Sequence, residues 1–225
     1  MSKSAKKTCK FCWIIRYFVV VAALLLGAFA YRSINPPALD ITALNDELKG
    51  ATALPVGFRS VPNVALLGYD GKHRPAMSYF EGHWTMAFFG YTYCPDICPA
   101  ALANMAQTMT VVREKYPEFA DTQILFVSVD PQRDTPDRLK EYVEYFDPAF
   151  VGTTGEKTDI DELTSALGAL YTIVGETEDN NNYLVDHSSQ IVLIDPKGGL
   201  RAIITPPHTP NNMAADLATL RTNLK

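Results

Sequence analysis

Apolar residues along this chain fall into three patterns, each predicting a different element. The first is one long run. Trp13 to Tyr31 is apolar except for Arg16, close to the roughly 20 residues that a membrane helix needs. The second is a set of short runs of strand length: Trp84–Tyr91, Gln123–Val129, Phe150–Thr153, Tyr171–Val174, Gln190–Ile194 and Leu200–Ile204. The third repeats at the spacing of one helical face. Leu102, Met105, Met109 and Val112 predict a helix after Pro99. Leu139, Tyr142, Val143 and Phe146 predict another, Ile160, Leu163, Leu167 and Leu170 a third, and Met213, Leu217, Leu220 and Leu224 a last one from about Pro210.

Local signals sharpen these boundaries. Thr135-Pro136-Asp137 supplies a hydroxyl cap, a proline at the first helical position and an acid in the first turn. Asp70-Gly71 is a hairpin signal inside the extended stretch from Val56 to Pro75. The polar, acidic stretch Glu176 to Asn182 reads as a loop. Strands alternating with helices imply an α/β class with a βαβ core, closed by a hairpin around Asp195–Gly199 and a final helix. The expected organisation is a basic tail over 1–12, an anchor over 13–31, a linker over 32–54 with a short amphipathic helix at Asp40–Leu48, and one domain over 55–225.

Charge orients the anchor. Lys3, Lys6, Lys7 and Lys10 precede the apolar run and only Arg32 closely follows it, which predicts the N-terminus inside and the domain exported. A cleaved signal peptide is the rival, since Ala28-Phe29-Ala30 fits a small-x-small cleavage pattern. Nothing resembling an Arg- and Ser-rich transit peptide comes first, so the expected location is a bacterial inner membrane, single-pass, with the C-terminal domain in the periplasm. The chain has 225 residues, 47% of them hydrophobic, and a net charge of −5. That composition supports a buried core and argues against nucleic acid as a partner. Four cysteines are too few for a disulfide scaffold at this length.

Those cysteines form two distant pairs. Cys9 and Cys12 lie on the inner side of the anchor, without a flanking histidine, and read as incidental thiols. Cys94 and Cys98 sit in Tyr91-Thr92-Tyr93-Cys94-Pro95-Asp96-Ile97-Cys98-Pro99, between a strand and a helix start. The helix dipole and free N–H groups there favour thiolate. Residues four apart on a helical turn point the same way, so the two sulfurs can converge on one soft metal ion or pair as a redox disulfide. Of His73, His83, His187 and His208, His187 stands out. It ends the polar loop before a core strand, where it can meet the cysteines, with Asp186 as an acceptor orienting its ring. Two thiolates and an imidazole suit Cu(I) and can take Cu(II) or Zn(II). Met105 and Met109 read as core.

Three motifs in order and spacing resemble the Sco/SenC family: Tyr91–Pro99, Val129-Asp130-Pro131-Gln132-Arg133-Asp134-Thr135-Pro136, and Asp186-His187-Ser188-Ser189. The resemblance covers roughly residues 55–222. It implies a thioredoxin-like fold, copper held by Cys94, Cys98 and His187, and a role in assembling the binuclear copper centre of cytochrome c oxidase. Implied partners are the oxidase subunit carrying that centre, an upstream copper donor and a thiol reductant. Asp134 matches the family's acidic position, as a supporting or partner-contacting residue. Tyr93 stands where many members have His, and His83 where many have Lys. The implied role is a metallochaperone rather than an enzyme. An exported thiol–disulfide reductase or peroxidase on the same fold, with Cys94 attacking and Cys98 resolving, and a copper or redox sensor are the alternatives.

Overall fold

The computed structural model describes residues 10–34, 39–175 and 183–224. Two compact units divide the chain, residues 1–40 and 41–225. The first holds α1 (Lys10–Ile34), whose side chains include exposed Phe18, Leu24, Leu25, Leu26 and Phe29. Among the described residues, no helix is long and apolar enough to cross a membrane. Cys9 lies outside the described residues, as does the expected loop over 176–182.

The second unit runs α2 (Ile41–Glu47), β1 (Ala51–Ala53), β2 (Ala65–Gly68), β3 (His73–Pro75), β4 (Thr85–Gly90), α3 (Ile97–Lys115), β5 (Gln123–Ser128), α4 (Pro136–Phe146), β6 (Val151–Thr154), α5 (Lys157–Leu167), β7 (Tyr171–Val174), β8 (Leu184–His187), β9 (Ile191–Ile194), β10 (Leu200–Ile204) and α6 (Pro210–Asn223). Eight strands form one sheet in the order β1-β10-β9-β4-β5-β6-β2-β3, and β7 and β8 pair separately. β4, β5 and β6 are parallel neighbours, joined through α3 and α4. The other pairings are antiparallel. Every residue of β4 is buried, as in a strand covered on both faces.

The capping signals hold. The Thr135 hydroxyl accepts from the N–H of Arg138 at the start of α4. α5 stops at Gly168, whose φ of 77° is the left-handed turn that glycine adopts freely. That stop accounts for a departure from the helical periodicity. Leu170, expected on the inner face, lies past the cap and is 74% exposed.

Residues 41–53 depart from the expected linker. Leu44 is buried and β1 pairs with β10. The Asn45 side chain accepts from the N–H of Ala53 and donates to its carbonyl, at 2.7 and 3.3 Å. The buried Asp216 carboxylate accepts from the N–H groups of Lys49, Gly50 and Ala51 at 2.9, 2.8 and 2.9 Å. No short-range pattern announces these bonds, because their acceptor comes from the other end of the chain.

Candidate metal centre

Carboxyl ends of parallel strands are where α/β sheets build their sites. The end of β4 carries both cysteines and the end of β5 carries the segment that braces them. Phe88, Phe89 and Tyr91 are buried, which anchors the turn leaving the sheet. Cys94 stays in this turn, ahead of the helix. Cys98 is the second residue of α3, after the N-cap Asp96, whose side chain makes no capping bond. The N–H of Cys98 instead donates to Cys94 Sγ at 3.4 Å. The pair therefore does not share a helical turn, contrary to the spacing argument. The sulfurs converge because Cys94 folds back over the helix start and takes the place of a cap.

His187 arrives at the end of β8. Its Nε2 is 3.2 Å from Cys98 Sγ. Its ring stands edge-on to Phe88 and Tyr91, with centroids 5.8 and 5.9 Å away. Nδ1 lies 3.2 Å from the Ser188 carbonyl. A carbonyl only accepts, so Nδ1 carries the proton and the Nε2 lone pair faces the sulfurs. The expected orienting role of Asp186 is replaced by this carbonyl. Asp186 is exposed, because neighbouring residues on a strand point to opposite faces.

One sulfur of each cysteine and one ring nitrogen of His187 lie within 4.8 Å of one another. The Cys94 thiol is brought down to about 4. A hydrogen bond from Cys98 lowers it most, burial opposes, and the backbone N–H groups of Cys98 and Asp96 lower it further. Cys98 moves up, first because it donates to Cys94 and then because it is buried. The centre thus holds one thiolate and one thiol. A cavity of about 340 Å³ opens over it, lined in part by Cys94, Pro95, Ile97, Leu184 and His187.

Asp134 is 1% exposed and 42 residues from Thr92, yet ties the cysteine turn to β5. Its carboxylate accepts from the Thr92 N–H at 2.9 Å and from the hydroxyls of Thr92 and Ser128, each at 2.5 Å. Burial pushes its carboxyl up, against those three bonds. Beside it, Arg133 pairs with Asp130 at 2.5 Å and lies 3.6 Å from the Tyr183 ring centroid. Tyr183 also donates to Asp130. Tyr93 takes Arg138 at 3.9 Å and Arg133 at 4.8 Å from its ring centroid. Both arginines are held by what they stack on.

Two residues that the sequence did not place at the site shape the centre. Gly90 ends β4 against Cys98, and its signal was an isolated glycine closing an apolar strand. Tyr142, read only as a core position, keeps a buried hydroxyl with no hydrogen-bond partner among the described residues. Burial first, then the neighbouring cysteines, raise its phenol. Met105 and Met109 are buried in the core, as expected.

Known proteins share this architecture. A SCO2-like protein of Rickettsia typhi is 39% identical over 118 residues, which are 52% of this chain and 57% of the relative. The mitochondrial SCO1 homolog of Homo sapiens is 32% identical over 155 residues, 69% of this chain and 50% of the relative. The chain thus spans about half the length of these relatives. The copper-bound ScoI of Arabidopsis thaliana superposes with a TM-score of 0.65 at 30% identity, covering 72% of this chain and 98% of that one. The family model described as SCO1/SenC matches residues 65–222, and with that match over both cysteines, Asp134 and His187, the chain belongs to the SCO1/SenC family.

Proposed function

We propose that this chain is a membrane-anchored copper-binding protein that holds the metal through Cys94, Cys98 and His187 and delivers it to the binuclear copper centre of cytochrome c oxidase. The observation that carries the reading is the convergence of those three donor atoms within 4.8 Å. Two sulfurs and an unprotonated imidazole nitrogen are soft donors that suit Cu(I). The copper-bound ScoI structure supports the same cargo.

This chain's own residues divide the work. Cys94 offers a ready thiolate at the rim. Cys98 adds a second donor once its proton leaves. The Ser188 carbonyl holds the His187 ring, and Asp134 holds the cysteine turn. The open cavity beside Cys94 gives a receiving protein's ligands access, so that copper can pass by exchange of one donor at a time.

The apolar run from Trp13 to Tyr31, with Phe18, Leu24 and Phe29 exposed on α1, supports the anchor. The lysines before it support a domain on the periplasmic side of a bacterial inner membrane. Membrane fractions that retain the full-length protein are the expected result. Soluble protein beginning at Tyr31 would replace the anchor with a cleaved signal peptide.

The lowered Cys94 thiol favours a second reading, a thiol–disulfide reductase. Cys94 thiolate attacks a target disulfide, one target thiolate leaves, and Cys98 then attacks Cys94 to release the other. A Cys94–Cys98 disulfide remains for an external dithiol to reduce. One comparison separates the readings: anaerobic Cu(I) loading of the reduced protein beside its His187→Ala variant. About one tightly held copper, clearly weakened in the variant, is expected for a three-donor site. Equal copper affinity in both would sink that site, and undiminished disulfide turnover by the variant would move the assignment to the reductase.

A further inference from the structure

At the opposite end of β4 from the cysteines lies a second cavity, of about 360 Å³. Trp84 to Tyr91 is seven strand steps, so the two sites stand roughly 23 Å apart. Trp84, Val56, Pro196 and Leu224 give the cavity apolar walls, and Asp195, Lys197 and Arg201 give it charge. Its volume is at the small end of ligand pockets, about 300–1,000 Å³.

Arg201 makes this more than a surface dent. The residue is 6% exposed. One terminal nitrogen pairs with Asp195 at 3.2 Å, but among the described residues its buried Nε–H has no hydrogen-bond partner. A buried donor left unmade is costly, and native structures satisfy more than nine in ten. Asp195 does not serve it in this arrangement. One oxygen of that carboxylate accepts the N–H groups of Lys197 and Gly199, both at 2.9 Å, and the other takes the Arg201 contact. Two cations against one carboxylate leave the lining net positive. An anion held between the guanidinium and the Lys197 ammonium would balance that charge. The apolar walls, an indole among them, fit a hydrophobic body behind that anion.

We infer that the cavity bounded by Trp84, Lys197 and Arg201 binds a small organic carboxylate, its acid group on Arg201 and Lys197 and its apolar part against Trp84. The site is separate from the metal centre and needs no metal.

The chain's two tryptophans, Trp13 and Trp84, make the test direct. In the full chain carrying Trp13→Phe, Trp84 is the sole indole fluorophore. Titration with phenylacetate is expected to give a saturable change in its emission, with phenylacetamide and inorganic phosphate at least tenfold weaker. Arg201→Met is expected to abolish the response. Because Arg201→Met removes the partner of Asp195, exposed Lys197→Glu serves as the fold-neutral variant, with binding weakened at least fivefold. No saturable response, as with water alone in the cavity, would overturn the site. Equal binding of the amide, or unchanged binding in Lys197→Glu, would overturn it as well.

Discussion

Gly90 leaves Cys98 the room that any other residue would fill. A Cβ at this position would lie 2.5 Å from Cys98 Sγ and 3.1 Å from the Phe126 ring. The sulfur also lies 3.2 Å from His187 Nε2, a contact that its displacement would disturb. Gly90→Ala is therefore expected to cost about 1–3 kcal/mol of stability through overpacking. It should also weaken Cu(I) binding at least tenfold. Denaturant unfolding and competition with a Cu(I) chelator check the two effects, and unaltered copper affinity would contradict this role for the gap.

Cys94 should react as a thiolate across the neutral range. Its folded value of about 4 predicts an iodoacetamide alkylation rate that stays flat between pH 6 and 8. An ordinary thiol would speed up roughly a hundredfold over that span. The linkage has one sign. A depressed thiol contributes stability fully above its unfolded value, near 9, and that contribution is lost as pH falls toward 4. Cys94→Ser should flatten the stability profile over the same window. A steep alkylation rise near pH 8 would show an ordinary thiol.

Copper loading should release protons in a telling number. Cys94 is already ionised and Cys98 is not, so binding at pH 8 is expected to free about one proton per copper. Weakly buffered titration with an indicator dye measures it. A release near two would mean that both cysteines start as thiols.

Asp134→Asn keeps the shape but removes one of the two oxygens that Thr92 and Ser128 share. The loss is expected to cost about 1–3 kcal/mol and to weaken copper binding, because the turn carrying Cys94 loosens. Asp134 touches neither sulfur by hydrogen bond, so a variant with lowered stability but unchanged Cu(I) affinity would reduce its role to folding alone.

Asp216→Ala tests the start of the domain. It strips the acceptor from three N–H groups at Lys49, Gly50 and Ala51. A loss of about 2–3 kcal/mol is expected, with Cu(I) affinity intact because the bonds lie far along the sheet from the cysteines. Wild-type stability would return residues 41–53 to the role of a tether.

Periodicity and punctuation sufficed for the elements of the βαβ core. The apolar runs and the Thr135-Pro136-Asp137 cap are local, and local rules govern them. The hairpin at Asp70-Gly71 was equally legible, since β2 and β3 flank that turn. Leu170 escaped because the helical spacing continues past Gly168, although the backbone does not. β8 escaped because two of the four residues in Leu184–His187 are polar, and among the described residues its strand partner is β7, outside the main sheet.

By itself, the sequence determined the α/β alternation, the two thiols at a helix start, and the three motifs that mark the family. Those are properties of neighbours along the chain. Tertiary structure alone decided that His187 meets Cys98 across 89 residues, that Ser188 rather than Asp186 holds its ring, that Asp134 braces Thr92, and that Asp216 ties residues 49–51 into the domain. Apart from the Ser188 contact, whose partner is the next residue, these join groups far apart in sequence, whose approach is set by strand order and by the space between packed side chains. No pattern along the chain encodes that distance.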